Sequence, residues 1–327
     1  MGKKIKWGIM GAGSIAGKFA TDFTLVTQGE LYAVGSRNLE TAQYFAVQYG
    51  IPKAYGSYTD LLNDAAVDVI YIATPHNFHF EQAMRCLQHN KNVLCEKPVT
   101  VNAFQLKQLM AEARKRKLFF MEAMWTPFLP AILKAQQWIA EGKIGEVQLI
   151  QANFGQVGNQ DSKGRLLNPD LAGGALLDIG IYPLTIIEMF AQSELESLDA
   201  RASFTETGVD ESVVVQMHYK NGVKGQMASH IRSQLVNDAF IYGTKGYIQI
   251  PQFWMSKQAI LKLNGLEPEV FSDSTVTMGY NFETEAVSND LLAGSTENDI
   301  MPLERSLKMM RLMDTIRKQI ALIYPFE

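Results

Sequence analysis

Cysteine is scarce in this chain: its 327 residues contain two, Cys86 and Cys95. Two cysteines supply neither a disulfide framework nor a zinc-site spacing. One falls in a helical pattern and the other in a strand pattern, so both read as small buried hydrophobes suited to a reducing cytoplasm. An excess of positive charge is also missing. Lysine and arginine total 30 against 34 acids, a formal net charge of −4, and no basic run is interleaved with aromatics, which excludes a general nucleic-acid binder. Lys115-Arg116-Lys117 stands near a helix end, where cations complement the macrodipole. No apolar run reaches the roughly 20 residues of a membrane span, so no membrane partner is expected. The first strand begins almost at once, so no signal peptide is expected. Lys6 occupies the position where a myristoylation signal needs Ser or Thr. Repeats, low-complexity tracts and long linkers are absent.

Glycine is present where it matters. Ile5-Lys6-Trp7-Gly8-Ile9-Met10 is a short apolar strand, and Gly11-Ala12-Gly13-Ser14-Ile15-Ala16 turns it into a helix. This is the G-x-G-x-x-A form of the dinucleotide fingerprint. Gly11 permits the tight turn, Gly13 admits a pyrophosphate close to the backbone, and Ala16 allows close helix–strand packing at an anion-attracting helix N-terminus. The spacing predicts strand 3–10, helix 14–27 and strand 30–36, the βαβ unit that the fingerprint requires. NAD sites place an acid about 20 residues beyond the glycines. Here the residues are Gly35-Ser36-Arg37-Asn38. Ser36 can donate to a 2′-phosphate and Arg37 offers a planar cationic fork, so NADP is favoured while NAD stays open.

The first third alternates strand and helix, with strands expected over 67–74, 92–95 and 118–122 and helices over 80–89 and 102–117. That pattern predicts a doubly wound parallel sheet with ligands at the carboxyl ends of its strands. After Pro130 the texture changes. A helix over 131–141 leads to longer strands joined by tight turns, including Asn221-Gly222 and Gly243-Thr244-Lys245-Gly246, which predict a large, mostly antiparallel sheet. The length suits two domains. The fold class is therefore α/β, with an N-terminal doubly wound domain over 1–124 and a C-terminal α+β domain over 125–327. Leu303, Leu307, Met310, Ile316 and Ile320 suit one face of a last helix over 303–322, able to return to the first domain. So few helices cannot cover both faces of the second sheet, so a homodimer or higher homo-oligomer through its outer face is expected.

Two clusters could carry chemistry. Glu96-Lys97-Pro98 follows directly on a strand, at the edge where a nicotinamide would lie; Lys97 there could polarise or protonate a substrate oxygen. An exposed turn accounts for the same three residues. In Gly173-Gly174-Ala175-Leu176-Leu177-Asp178-Ile179-Gly180-Ile181-Tyr182, an Asp178 that begins a helix would place Tyr182 one turn later on the same face. A neighbouring ammonium would make the phenol a competent proton carrier, with Asp178 orienting the pair. An N-cap aspartate and a core tyrosine are the plainer account. His76 and His79 are spaced like a metal pair but lack a third ligand, so no metal is expected; His79 instead opens a helix near the cofactor. Trp125, Phe154 and Trp254 suit the wall of an apolar substrate pocket, and core packing serves each as well.

With Ala73-Thr74-Pro75, Cys95-Glu96-Lys97-Pro98 and Asp178-Ile179-Gly180-Ile181-Tyr182 beside the glycine turn, the chain resembles the glucose–fructose oxidoreductase, inositol dehydrogenase and MocA family (Gfo/Idh/MocA) over nearly its whole length. Met121-Glu122-Ala123-Met124-Trp125-Thr126 and Leu177 to Pro183 look most like its dimeric dihydrodiol dehydrogenase and xylose dehydrogenase branch. That branch commonly has arginine after the Trp-Thr pair; this chain has Pro127. Many relatives have histidine where this chain has Tyr182. The resemblance implies a cofactor site of Gly11, Gly13, Ser14, Ile15, Ser36, Arg37, Thr74, Pro75, His79, Glu96 and Lys97, and a catalytic set of Lys97, Tyr182 and Asp178. It implies an NADP-preferring oxidoreductase that interconverts alcohol and carbonyl groups on a small sugar, polyol or cyclic diol. A sugar–sugar oxidoreductase with a non-dissociating cofactor and a non-catalytic NADP-binding regulator are the alternatives.

Overall fold

Six short apolar strands build the first sheet. They are β1 (Ile5–Met10), β2 (Gly29–Gly35), β3 (Lys53–Tyr55), β4 (Val69–Ile72), β5 (Asn92–Glu96) and β6 (Phe120–Ala123), in the order β3-β2-β1-β4-β5-β6. All five pairings are parallel, the doubly wound order in which every carboxyl end meets one edge. The helices are α1 (Ser14–Asp22), α2 (Leu39–Tyr49), α3 (Tyr58–Asn63), α4 (His79–Gln88) and α5 (Ala103–Arg116). A computed structural model describes residues 2–327. The chain forms two compact units, the first comprising the residues through Trp125 with Val276–Met310, the second Thr126–Thr275 with Arg311–Glu327.

Local chemistry explains the helix limits of the first unit. Asn38, Ser57 and Asn102 cap α2, α3 and α5 by accepting the amides of Thr41, Asp60 and Gln105. The last turn of α5 carries Arg114, Lys115 and Arg116, and Lys117 ends it in the left-handed region. The first helix stops at Asp22, short of the expected 27, and passes into a 3-10 turn over Phe23–Leu25. Phe23 turns inward there against Trp7, 5.9 Å between ring centroids, and Phe19 stacks on Tyr71 at 3.7 Å.

In the second unit α6 (Pro130–Ala140) precedes β7 (Val147–Gly155), and α7 (Ile181–Ala191) precedes β8 (Leu195–Phe204), β9 (Asp210–Tyr219), β10 (Lys224–His230), β11 (Ala239–Gly243), β12 (Gly246–Ile250), β13 (Gln258–Leu263) and β14 (Glu269–Ser272). They form one eight-stranded sheet in the order β14-β13-β12-β11-β7-β10-β9-β8. Every pairing is antiparallel except β7 with β10. The Asn221-Gly222 and Gly243–Gly246 turns close the β9–β10 and β11–β12 hairpins. Along β9, Val213, Val215, Met217 and Tyr219 are buried while Val214, Gln216 and His218 face out, so one face packs inward and the other stays open. The stretch Pro169–Ala191 is apolar enough in composition to cross a membrane, but it is mostly buried inside the protein. It is the core of this unit.

Two helices complete the chain. In α8 (Tyr280–Ala293) the buried set mixes Tyr280 and Val287 with Asn281, Glu283, Thr284 and Ser288, so no clean apolar period announces it. Asp22 caps its start, accepting the Tyr280 amide at 3.0 Å. The last helix, α9 (Leu303–Gln319), is amphipathic as its spacing predicts.

Candidate active site

The glycine turn after β1 has the geometry that its sequence requires. Gly11 sits at φ +103, and a Cβ there would press to 3.1 Å on the Ala73 carbonyl oxygen. Gly13 is extended and begins α1 with no side-chain cap. A Cβ on Gly13 would meet nothing within 4 Å, and Gly13, Ser14 and Ile15 are exposed. The first amides of α1 therefore face open space, whereas α2, α3 and α5 are closed by Asn or Ser. An uncapped, exposed helix start beside a backbone without side chains is a cradle for a pyrophosphate. Ser36 and Arg37 follow the end of β2, Ser36 half-buried and Arg37 exposed, and no acid stands there.

The loop after β4 is tied to the loop after β5. His79 is buried at the start of α4 with Nδ1 2.8 Å from the Pro98 carbonyl oxygen and Nε2 2.8 Å from that of Thr74. The Thr74 hydroxyl bonds Gln82 Oε1 at 2.5 Å on the same helix face. His79 thus supports Thr74-Pro75 and Lys97-Pro98 from below, and His76 lies 6.5 Å away ring to ring. Among the described residues no cluster of three His, Cys, Asp or Glu is placed to hold a metal.

Lys97 stands at the end of β5 above a carboxyl-rich floor. Tyr71 donates a short hydrogen bond to Glu96, and the Val99 amide donates to Glu122 Oε1 at 3.0 Å. Burial pushes the Glu96 carboxyl above the usual range, opposed by the Tyr71 hydrogen bond and the Lys97 charge. Burial likewise raises Glu122, again opposed in part by Lys97. Glu283 is raised furthest, by burial and then by the repulsion of Glu96 and Glu122, and neither of its oxygens has a hydrogen-bond partner. Trp125 stacks on Tyr280, 4.6 Å between centroids.

In the second unit Asp178 does not begin an α-helix. It lies inside a π-helical turn over Leu176–Gly180, directly ahead of α7. Tyr182, four residues on, therefore follows across a wider turn than an α-helix would give. Both Asp178 oxygens are held by Arg165, at 2.7 and 3.2 Å. Tyr182 is 8% exposed and tilts onto Phe154 at 5.6 Å. Phe154 stacks on Trp254 at 4.3 Å, and Thr126 donates to the Trp254 carbonyl at 3.0 Å. Phe154 and Trp254 thus join Tyr182 in one aromatic cluster, and Trp125 belongs to the other unit.

Residues 5–124 match the Gfo/Idh/MocA oxidoreductase family, described as having an NAD-binding Rossmann fold, and 132–249 match the C-terminal domain of the same family. The chain belongs to the Gfo/Idh/MocA family. It is an NAD(P)-dependent oxidoreductase. The trans-1,2-dihydrobenzene-1,2-diol dehydrogenase of Xenopus laevis is 38% identical over 333 residues, covering 98% of this chain and 99% of the relative. A 3-ketoreductase from Actinomadura kijaniata, solved with NADP and TDP-benzene, superposes with a TM-score of 0.88 at 25% identity, over 97% of this chain and 98% of that one. The aldose–aldose oxidoreductase of Caulobacter crescentus shares the fold, with a TM-score of 0.89 at 24% identity over 98% of both chains.

The open α1 start fits the nicotinamide dinucleotide that the Gfo/Idh/MocA domain binds. Several supporting residues leave no local trace in the sequence. Arg165 lies 13 residues before Asp178 in an irregular loop. Asp210, which closes the start of the π turn by accepting the Leu176 amide, lies 34 residues away. Gln82 alone had a signal, sharing a helix face with His79.

Proposed function

We propose that the chain is an NADP-preferring dehydrogenase or reductase of a small sugar, polyol or cyclic diol. The carrying observation is one sheet edge: the open start of α1 after β1, Ser36-Arg37 after β2, and Lys97 after β5. Arg37 would meet a 2′-phosphate as a planar fork, and no carboxylate there repels it. The curated relative acts on a dihydrodiol by its name, and the Phe154–Trp254 wall suits a ring of that kind. Pro127, buried in a short 3-10 turn, leaves the diol without the arginine that the branch commonly carries.

When bound, the cofactor supplies the hydride-transferring ring. Tyr182 exchanges the proton with the substrate oxygen, and the Lys97 ammonium stabilises the phenolate form. Arg165 and Asp178 fix the loop ahead of Tyr182, and Phe154 with Trp254 excludes water from the phenol. We place the enzyme in the cytoplasm, whose reducing conditions suit the buried free thiols of Cys86 and Cys95. We also propose a homodimer through the open sheet face, where Phe240, Tyr242 and Tyr247 cluster with ring distances of 5.5 to 6.3 Å; light scattering that returns a monomer at micromolar concentration refutes it.

The test is a screen of sugars, inositols and dihydrodiols with NADP and with NAD, read by nicotinamide absorbance. Turnover of one class with NADP preferred supports the reading. Tight NADP binding with no turnover would make the chain a regulator, and cofactor retained through gel filtration would make it a sugar–sugar oxidoreductase.

A further inference from the structure

One buried carboxyl outside the π turn closes its start. Asp210 opens β9 and is fully buried. Its Oδ2 accepts the Leu176 amide at 2.6 Å, while Oδ1 has no hydrogen-bond partner. Gly174, at φ +121, closes over that oxygen, and a Cβ there would stand 2.0 Å from Oδ1. The groups facing Asp210 come from three segments. The amides of Ala175 and Leu176 belong to the turn, the Arg317 guanidinium to α9, and the Tyr324 phenol to the residues after it. Tyr324 also feels Asp178, and it donates to the Gly173 carbonyl at 2.9 Å, so it spans the same turn. Arg317 divides its charge with Glu327. Burial pushes the Asp210 carboxyl up to about 7, against the backbone donors and the Arg317 charge that favour the carboxylate.

We propose that Asp210 is the positioning residue of the active-site turn: its carboxyl closes the Leu176 amide and so holds the segment bearing Asp178 and Tyr182, and the hold slackens when that carboxyl loses its proton, because the charge is then buried with one oxygen lacking a hydrogen-bond partner. The functional consequence rests on the reading of Tyr182 as the proton carrier. The sign follows from linkage. The closed segment keeps a proton that an exposed aspartate, titrating at about 4, would release. The stabilisation is therefore complete below about 4 and disappears as the pH rises through about 7. Between those values each opening event releases one proton, so the opening constant climbs about tenfold per pH unit and then levels off.

Amide hydrogen exchange on the full-length protein, corrected for intrinsic rates, reads this directly from about pH 5 to about pH 8. Leu176 to Tyr182 should open about tenfold more per unit up to about pH 7, while the β11–β12 hairpin of the same unit stays flat. Asp210→Asn keeps the acceptor and cannot ionise, so its profile should be flat, its kcat should lose the ionisation near neutrality, and its affinity for NADP should be unchanged. A flat wild-type profile, the same slope in the hairpin, or a slope kept in Asp210→Asn overturns the proposal. If Asp210→Asn does not fold, carbon-13 titration of the wild-type carboxyl decides, and a midpoint near 4 overturns it. Tyr182→Phe should keep the wild-type exchange profile. An active Tyr182→Phe would therefore sink the proton assignment and leave the exchange result standing.

Discussion

Two glycine turns in this chain lead into helices that begin in opposite ways. After β1, Gly11 to Gly13 opens α1 with no side-chain cap and three exposed residues in succession. In the second unit Gly173-Gly174 opens a π turn whose Leu176 amide is closed by the buried Asp210. The first start is left for a ligand and the second is completed by the protein. A glycine turn before a helix thus marks a binding site only where the amides beyond it keep no internal acceptor. The same contrast separates the two kinds of work. On the proposed mechanism the open start binds the cofactor and the closed start positions Tyr182.

The largest expected effect breaks the chemistry alone. Tyr182→Phe and Lys97→Met should each lower turnover by about 10²–10⁴ with NADP affinity unchanged by titration. On the proposed mechanism the double variant should lose less than the product of the two. Next in size is Gly174→Ala. Its Cβ would collide with Asp210 at a backbone angle of +121, so thermal unfolding should report a loss of about 3 kcal/mol or more. Arg37→Ala sharpens the open half of the comparison. It should weaken NADP by about tenfold, or ~1.4 kcal/mol, and leave NAD binding alone. Smallest in stability is Gly13→Ala, whose Cβ meets nothing within 4 Å. Unfolding should move by less than about 0.5 kcal/mol, yet NADP should bind more weakly because the new carbon stands where the pyrophosphate approaches.

What could be read in advance divides along the same line. Gly11, Gly13, Ser36, Arg37 and the strand ahead of Lys97 are contiguous motifs, and a sheet of parallel strands turns contiguity into a shared edge. The alternation along β9 and the Asn221-Gly222 turn likewise announced the second sheet. The closed half was not legible because its partners meet across long stretches of chain. Arg165 reaches Asp178 from a loop without regular structure, and Asp210 comes from the far side of α7 and β8. The π turn was hidden for another reason: Leu176 to Tyr182 carries an apolar run that reads as an ordinary helix start, while the contacts ahead of it, Gly173 on the Arg165 and Leu166 carbonyls and Gly174 on Asp210, come from outside that run. Helix α8 carries no apolar period because polar residues, Glu283 and Ser288 among them, share its buried face.

The central claim is that the open turn takes NADP while the phenol of Tyr182 moves the proton. A single-turnover experiment tests both together: wild type and Tyr182→Phe are saturated with NADP, mixed with the substrate from the screen, and followed by nicotinamide absorbance. The account predicts a rise in wild type that slows by about 10² or more in the variant, at equal NADP occupancy. Equal rates in the two proteins would contradict it.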